Sequence, residues 1–219
     1  MKRLTILLFA ICYLSCKSSH AQQKPSAEAI ALNNMAFALG NDSLRSNPSD
    51  SVHLLQEAIN ILNKSLKIDS NYYIAYRNKM NFQAELKQQD SAFFTAKQII
   101  KKWPKQTQIT ILAGEYCEFK GDTTSAVGYY KKALSVINHV LDSIGVNSKR
   151  YGSRQIEKAK VLMLLDQPEK AHNILKDLFD HATSEFDKQN LKDLMGMNRH
   201  DVLYGKTATI NNTTTIINW

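Results

Sequence analysis

The sequence predicts an all-α fold, a right-handed α-solenoid of about four helix-turn-helix repeats closed by a C-terminal capping helix. Three observations carry this expectation. Ala58, Ala92 and Ala126 stand 34 residues apart and then 34 again, each in a stretch of similar texture. Such a period describes helix pairs that stack because none can bury its apolar face alone. Only eight glycines and four prolines occur in 219 residues, too few for the turns of a β-sandwich or for a glycine-rich phosphate loop. The runs between them are rich in Ala, Leu, Lys, Gln and Glu, which favour helix.

With 43% hydrophobic and 22% charged residues, the chain can bury one sizeable core, so a single folded unit behind a leader is expected. The leader comes first. Lys2 and Arg3 precede the apolar run Leu4 to Leu14, long enough for a signal sequence and too short to span a bilayer. Two processing sites compete. Leu14-Ser15-Cys16 resembles the end of a bacterial lipobox, in which Cys16 is lipidated and becomes the new N-terminus. Tyr13 and Leu14 depart from that pattern. Ser19-His20-Ala21 fits ordinary signal cleavage, which releases a soluble chain beginning at Gln22. The expected division is a signal peptide over 1–15, a polar linker over 16–25, a repeat domain over 26–200 and a tail over 201–219. Either site implies export, to a lipid anchor in the cell envelope or to the periplasm.

The repeats follow in order. The first pairs a helix over 27–39 with a second holding Ala58, Leu62 and Leu66, and residues 40–50, with Pro48 and several Ser and Asn, are expected to form a long loop between them. The second spans 73–104, with Tyr76 early in its first helix, Ala92 in its second and Pro104 at its close. The third spans 107–138, with Gly114 in its first helix, Gly121-Asp122 at the turn, and Ala126, Tyr130 and Ala133-Leu134 down the second. Small residues at Gly114 and Ala126 let two helices cross closely, and Ile109, Leu112, Ala113, Tyr116 and Cys117 keep the spacing of one buried stripe. Asp122, with Thr123 and Thr124, supplies side-chain oxygens for an N-cap.

Ala171 follows Ala126 by 45 residues, and the excess is placed around 139–149, with the helix running through Leu141 and Ile144 to a left-handed cap at Gly145. The fourth repeat then has helices over 153–165 and from Pro168, the latter holding Ala171, Ile174, Leu175 and Leu178. Residues 184–197 are expected to form the capping helix. From Lys206 the tail is β-branched and polar, ending Thr213 to Ile217 and Trp219, and reads as a disordered end or an extended strand.

These signature residues resemble the tetratricopeptide (TPR) repeat, clearly in the second and third units. The resemblance implies protein or peptide binding without catalysis, in a groove lined by the first helix of each pair. Helix phase places Tyr76, Arg77, Asn81 and Glu85 there, then Ile111, Glu115 and Phe119, then Ile156, Lys160 and Met163. Arg77 and Asn81 are similar to the opening pair of the family's carboxylate clamp, but Leu112, Ser153 and Glu157 stand where its later contributors belong, so no clamp is expected. A different class of reading is a soluble periplasmic assembly or maturation factor carrying glycan or lipid-linked cargo.

No catalytic motif, cofactor or metal site is expected. The net charge of +8 falls to +6 without Lys2 and Arg3. The basic residues Lys97, Lys101, Lys102 and Lys105, and then Lys149, Arg150, Arg154, Lys158 and Lys160, lack the interleaved aromatics of a nucleic-acid groove and read as solvated helix faces. No His-x-x-x-His or similar metal spacing occurs, and His172 and His181 near Asp177 and Asp180 read as solvated. Cys117 is the lone cysteine of the mature domain and lies in an apolar stripe, where it acts as a small hydrophobe.

Overall fold

The structure, a computed structural model, describes residues 24–204. Cys16, the leader and the tail from Lys206 lie outside the described residues. The elements are α1 (Ala27–Ser43), α2 (Pro48–Ile68), α3 (Tyr73–Glu85), α4 (Gln89–Lys102), α5 (Thr107–Phe119), α6 (Thr123–Ile144), α7 (Tyr151–Leu164), α8 (Pro168–His181), α9 (Glu185–Met195) and α10 (Arg199–Tyr204). Helices α1 to α8 form four pairs stacked in chain order, and α9 packs on α8. This is the expected all-α helical solenoid.

The core shows how the stack holds together. One apolar cluster joins α1 and α2 to α3, through Ala29, Ala36, Leu55, Ala58, Leu62, Ala75 and Phe82. The next joins α3 and α4 to α5, through Met80, Ala92, Ile99 and Ile109. A third joins α5 and α6 to α7, through Ala126, Tyr130, Ile137 and Val161, and a fourth joins α7 and α8 to α9, through Leu162, Ala171, Leu175 and Leu191. Each pair is thus completed by the first helix of the next, the nearest-neighbour burial on which repeat stacks depend. Ala58, Ala92, Ala126, Ala133 and Ala171 are all fully buried at these crossings.

Two glycines set how closely helices approach. A Cβ on Gly114 would sit 2.4 Å from Tyr130 Cε1, and one on Gly40 would sit 2.3 Å from Phe82 Cζ, so each aromatic ring rests on bare backbone. Gly40 therefore lies inside a helix, and the long loop expected over 40–50 is not there. Helix α1 runs on to Ser43, whose hydroxyl donates to Gly40 O at 2.6 Å. Helix α2 starts at Pro48 behind an Asn47 cap that accepts from Asp50 N at 3.0 Å. The polar residues that read as a loop are a helix end and a helix start, since Ser and Asn serve as caps as readily as they form loops.

The turns inside the other three pairs share one geometry. Lys87, Gly121 and Asp166 all have positive φ, at 59°, 79° and 58°. Their amides donate to Ala84 O, Glu118 O and Met163 O, and the following amides to Gln83 O, Cys117 O and Leu162 O, the double closure of a Schellman cap. Asp122 caps α6 by accepting from Ser125 N at 3.0 Å, while Thr123 and Thr124 are already helical. Helix α6 ends at Gly145 as expected, but with φ 68° and ψ 167°. That conformation lies outside the left-handed helical well and suits almost no residue but glycine. Helix α7 begins at Tyr151, two residues before the expected start.

The C-terminal end differs most. The capping helix is α9, with Ser184 accepting from Asp187 N at 3.0 Å. Beyond the expected domain boundary at residue 200 the chain is still folded, because α10 turns back onto α7.

Candidate binding face on the first helix of each pair

Helices α1, α3, α5 and α7 stand side by side. Asn78 Nδ2 on α3 donates to Asn33 Oδ1 on α1 at 3.0 Å. The Tyr73 hydroxyl on α3 donates to Gln106 Oε1 before α5 at 3.2 Å, and Thr107 on α5 donates to Glu157 on α7. Between these lateral contacts each helix turns one strip away from the core.

On α3 that strip is Ile74, Arg77, Asn81 and Glu85, with Ile74, Arg77 and Glu85 exposed and Asn81 half-buried. Arg77, Asn81 and Glu85 have no hydrogen-bond or ion-pair partner among the described residues. Partial burial nevertheless holds the Glu85 carboxyl above the usual carboxylate range, because desolvation disfavours its charged form. Phe119 on α5 is 53% exposed and Phe37 on α1 50%, so two aromatic rings lie open on the helices flanking α3. Tyr76, expected on this face, is instead buried edge-on against Trp103 at 5.6 Å.

Helices α5 and α7 present a different surface. Ile111 and Met163, also expected to line the face, are buried. Glu115 is buried as well, with Lys160 Nζ 2.9 Å from its Oε1, a charge contact whose angle lies outside hydrogen-bond geometry. Arg154 forks onto Glu157 and Thr107. Lys160 and Arg154, expected as solvated helix faces, are only partly exposed and are tied to the neighbouring helix. Of the expected residues on these helices, Phe119 and Ile156 stay exposed.

The feature that reading by period missed is α10. Asn198 and Asp201 form a reciprocal cap, Asp201 N donating to Asn198 Oδ1 at 2.9 Å and Asn198 N to Asp201 Oδ2 at 3.1 Å. Asn-x-x-Asp is the sequence signal that marks this start. Arg199 then reaches back to Glu118 on α5 and donates from Nε to Leu164 O at 3.3 Å. Glu118 also accepts from the Tyr130 hydroxyl at 2.9 Å, and burial together with that carboxylate drives the Tyr130 phenol far above its ordinary value.

Elsewhere several polar groups have structural roles. Cys117 is buried and its thiol is pushed up by desolvation, then by Asp122, which disfavours a nucleophilic thiolate. His181 lies on Asp177 O at 2.7 Å, and Lys176 pairs with Asp180 at 2.8 Å. Lys97 sits over the Phe93 ring at 4.9 Å. No described helix is long and apolar enough to cross a membrane.

Comparison with known proteins bears on the fold alone. No family model matches the chain, and no curated protein matches it. Among solved structures, the chain is similar to a thermophilic TPR protein from Thermus thermophilus, at 17% identity over 77% of this chain and 86% of that one, with a TM-score of 0.43.

Proposed function

We propose that this chain is a non-catalytic scaffold of the tetratricopeptide type that binds a peptide or partner protein on the face centred on α3. The observation that carries this reading is the strip Ile74, Arg77, Asn81 and Glu85, whose three polar side chains have no partner among the described residues. Exposed Phe37 and Phe119 flank it. Apolar anchors beside polar groups without partners match the composition of a recognition surface. The partner segment then brings an acidic or carbonyl group to Arg77 and an apolar side chain to Phe119 or Phe37.

The placement proposed is the bacterial cell envelope, with Cys16 as the lipid-bearing residue and 16–25 as the tether to α1. Its support is the sequence of the leader. Intact mass of the native chain and of a Cys16→Ser version reads it directly, since only the native chain gains the diacylglyceryl mass.

Binding is tested in intact cells by a photo-crosslinking residue placed at Asn81, with a second at Lys64 on the exposed side of α2 as the control. The expected result is a single partner captured from Asn81 and not from Lys64, and lost when Arg77→Ala is added. Equal capture from both positions, or none from Asn81, overturns the reading.

A further inference from the structure

We propose that α10 is an intramolecular occupant of this face, a displaceable clasp over the fourth pair, anchored to α5 through Glu118, that restricts partners to the stretch from α1 to Phe119. The proposal rests on the binding reading above and adds its regulation. Equivalent positions make the case: the spacings of 34 and 45 residues carry Glu85 on α3 to Phe119 on α5 and to Leu164 on α7. Glu85 and Phe119 are exposed, whereas Leu164 is 1% exposed. Its carbonyl accepts from Arg199, and Val202 and Leu203 pack against the cluster that contains Leu164, Val161 and Ile111. Helix α10 therefore stands where a ligand of the fourth pair would stand.

The clasp is built to come off. Six residues are too few for a helix that stands alone, so α10 keeps its form through the Asn198–Asp201 cap and through docking. Its polar anchor is the Arg199–Glu118 pair, with Arg199 38% and Glu118 11% exposed. One carboxylate thus organises both sides of the switch, accepting from Tyr130 within the stack and from Arg199 on the clasp. A competitor needs matching chemistry: a guanidinium or ammonium for Glu118, followed three and four residues later by two apolar side chains. A basic amphipathic segment of a partner fits, and its differential affinity for the open state would shift the equilibrium.

The test uses the full-length chain and two readouts. Hydrogen exchange should show α10 amides exchanging at least tenfold faster in Arg199→Ala, and likewise in Leu203→Glu, with α3 and α4 unchanged. A fluorescent peptide of residues 196–207 should bind the Arg199→Ala chain and not the wild type, and the same peptide carrying Arg199→Ala should bind at least tenfold more weakly. Unchanged exchange in both variants, or equal peptide binding to wild type and variant, overturns the clasp. A lost Asn81 crosslink with faster α10 exchange intact strikes the binding reading, and the reverse strikes the clasp alone.

Discussion

Helix α3 and helices α5 and α7 are built on the same repeat, yet their equivalent strips met opposite fates. At α3 the outward positions hold exposed Ile74, Arg77 and Glu85 and half-buried Asn81, the three polar ones without a hydrogen-bond or ion-pair partner among the described residues. On α5 and α7 the equivalent Glu115 and Lys160 are tied to each other and Leu164 is buried, while Phe119 and Ile156 stay exposed. The difference lies in what reaches each strip. A charge that meets its counterpart across two helices becomes structure, and one that meets water stays available to a ligand. A shared architecture therefore does not make the strips interchangeable, and the ends of such a stack can be specialised by a few side chains.

The largest expected effect tests what the two ends share. Gly114→Ala forces a Cβ into the fully buried Tyr130 ring, and Gly40→Ala does the same beneath Phe82. Overpacking of this kind costs about 1–3 kcal/mol, so both variants should lower the Tm, Gly114→Ala more because Tyr130 has no room to move. A Gly40→Ala chain that melts like the wild type would mean that the first pair is more loosely packed than its partners.

The next effect separates the ends. Glu118→Ala strands Arg199 and the Tyr130 hydroxyl and should cost about 1–2 kcal/mol, below the range for fully buried pairs because Arg199 is partly screened by solvent. Glu85→Ala, an open residue without a partner, should stay within about 0.5 kcal/mol of wild type. Urea unfolding of the two variants reads the contrast directly, and equal losses would erase it.

The smallest effect sharpens the comparison at the turns. Lys87 and Asp166 hold the positive φ that Gly121 holds without strain. Relief of that strain exceeds the added chain entropy of glycine, so Lys87→Gly should stabilise by about 0.5 kcal/mol and Asp166→Gly by less, since Asp visits this region more readily. Gly121→Ala should destabilise by about 1 kcal/mol. Thermal melts of the three variants check the order.

Much of the stack was legible in the residues. The alanine period located the crossings at Ala58, Ala92 and Ala126, Pro168 and Asp122 marked helix starts, and Gly121 marked a turn, because each of these is read from residue type and spacing along the chain. Residues 40–50 misled because Asn47, Pro48 and Gly40 carry the composition of a loop, and only the ring of Phe82, in the next pair, shows that Gly40 is a packing residue. Helix phase placed Arg77, Glu85, Phe119 and Ile156 at the surface, where they lie, and Asn81 beside them, half-buried. It could not foresee that Glu115, Ile111 and Met163 would be buried, since what covers them comes from other helices.

The sequence by itself determined the paired helices and the capping helix, with their order, because hydrophobic period, caps and turn glycines are local signals read within a few residues. Tertiary structure alone decided which part of the shared face stays open. That outcome depends on contacts such as Arg199 with Glu118, 81 residues apart along the chain, and on the burial of Leu164 beneath a helix outside the repeat. Neither leaves a periodic trace, since a long-range contact is specified by the meeting of two surfaces and not by either segment alone.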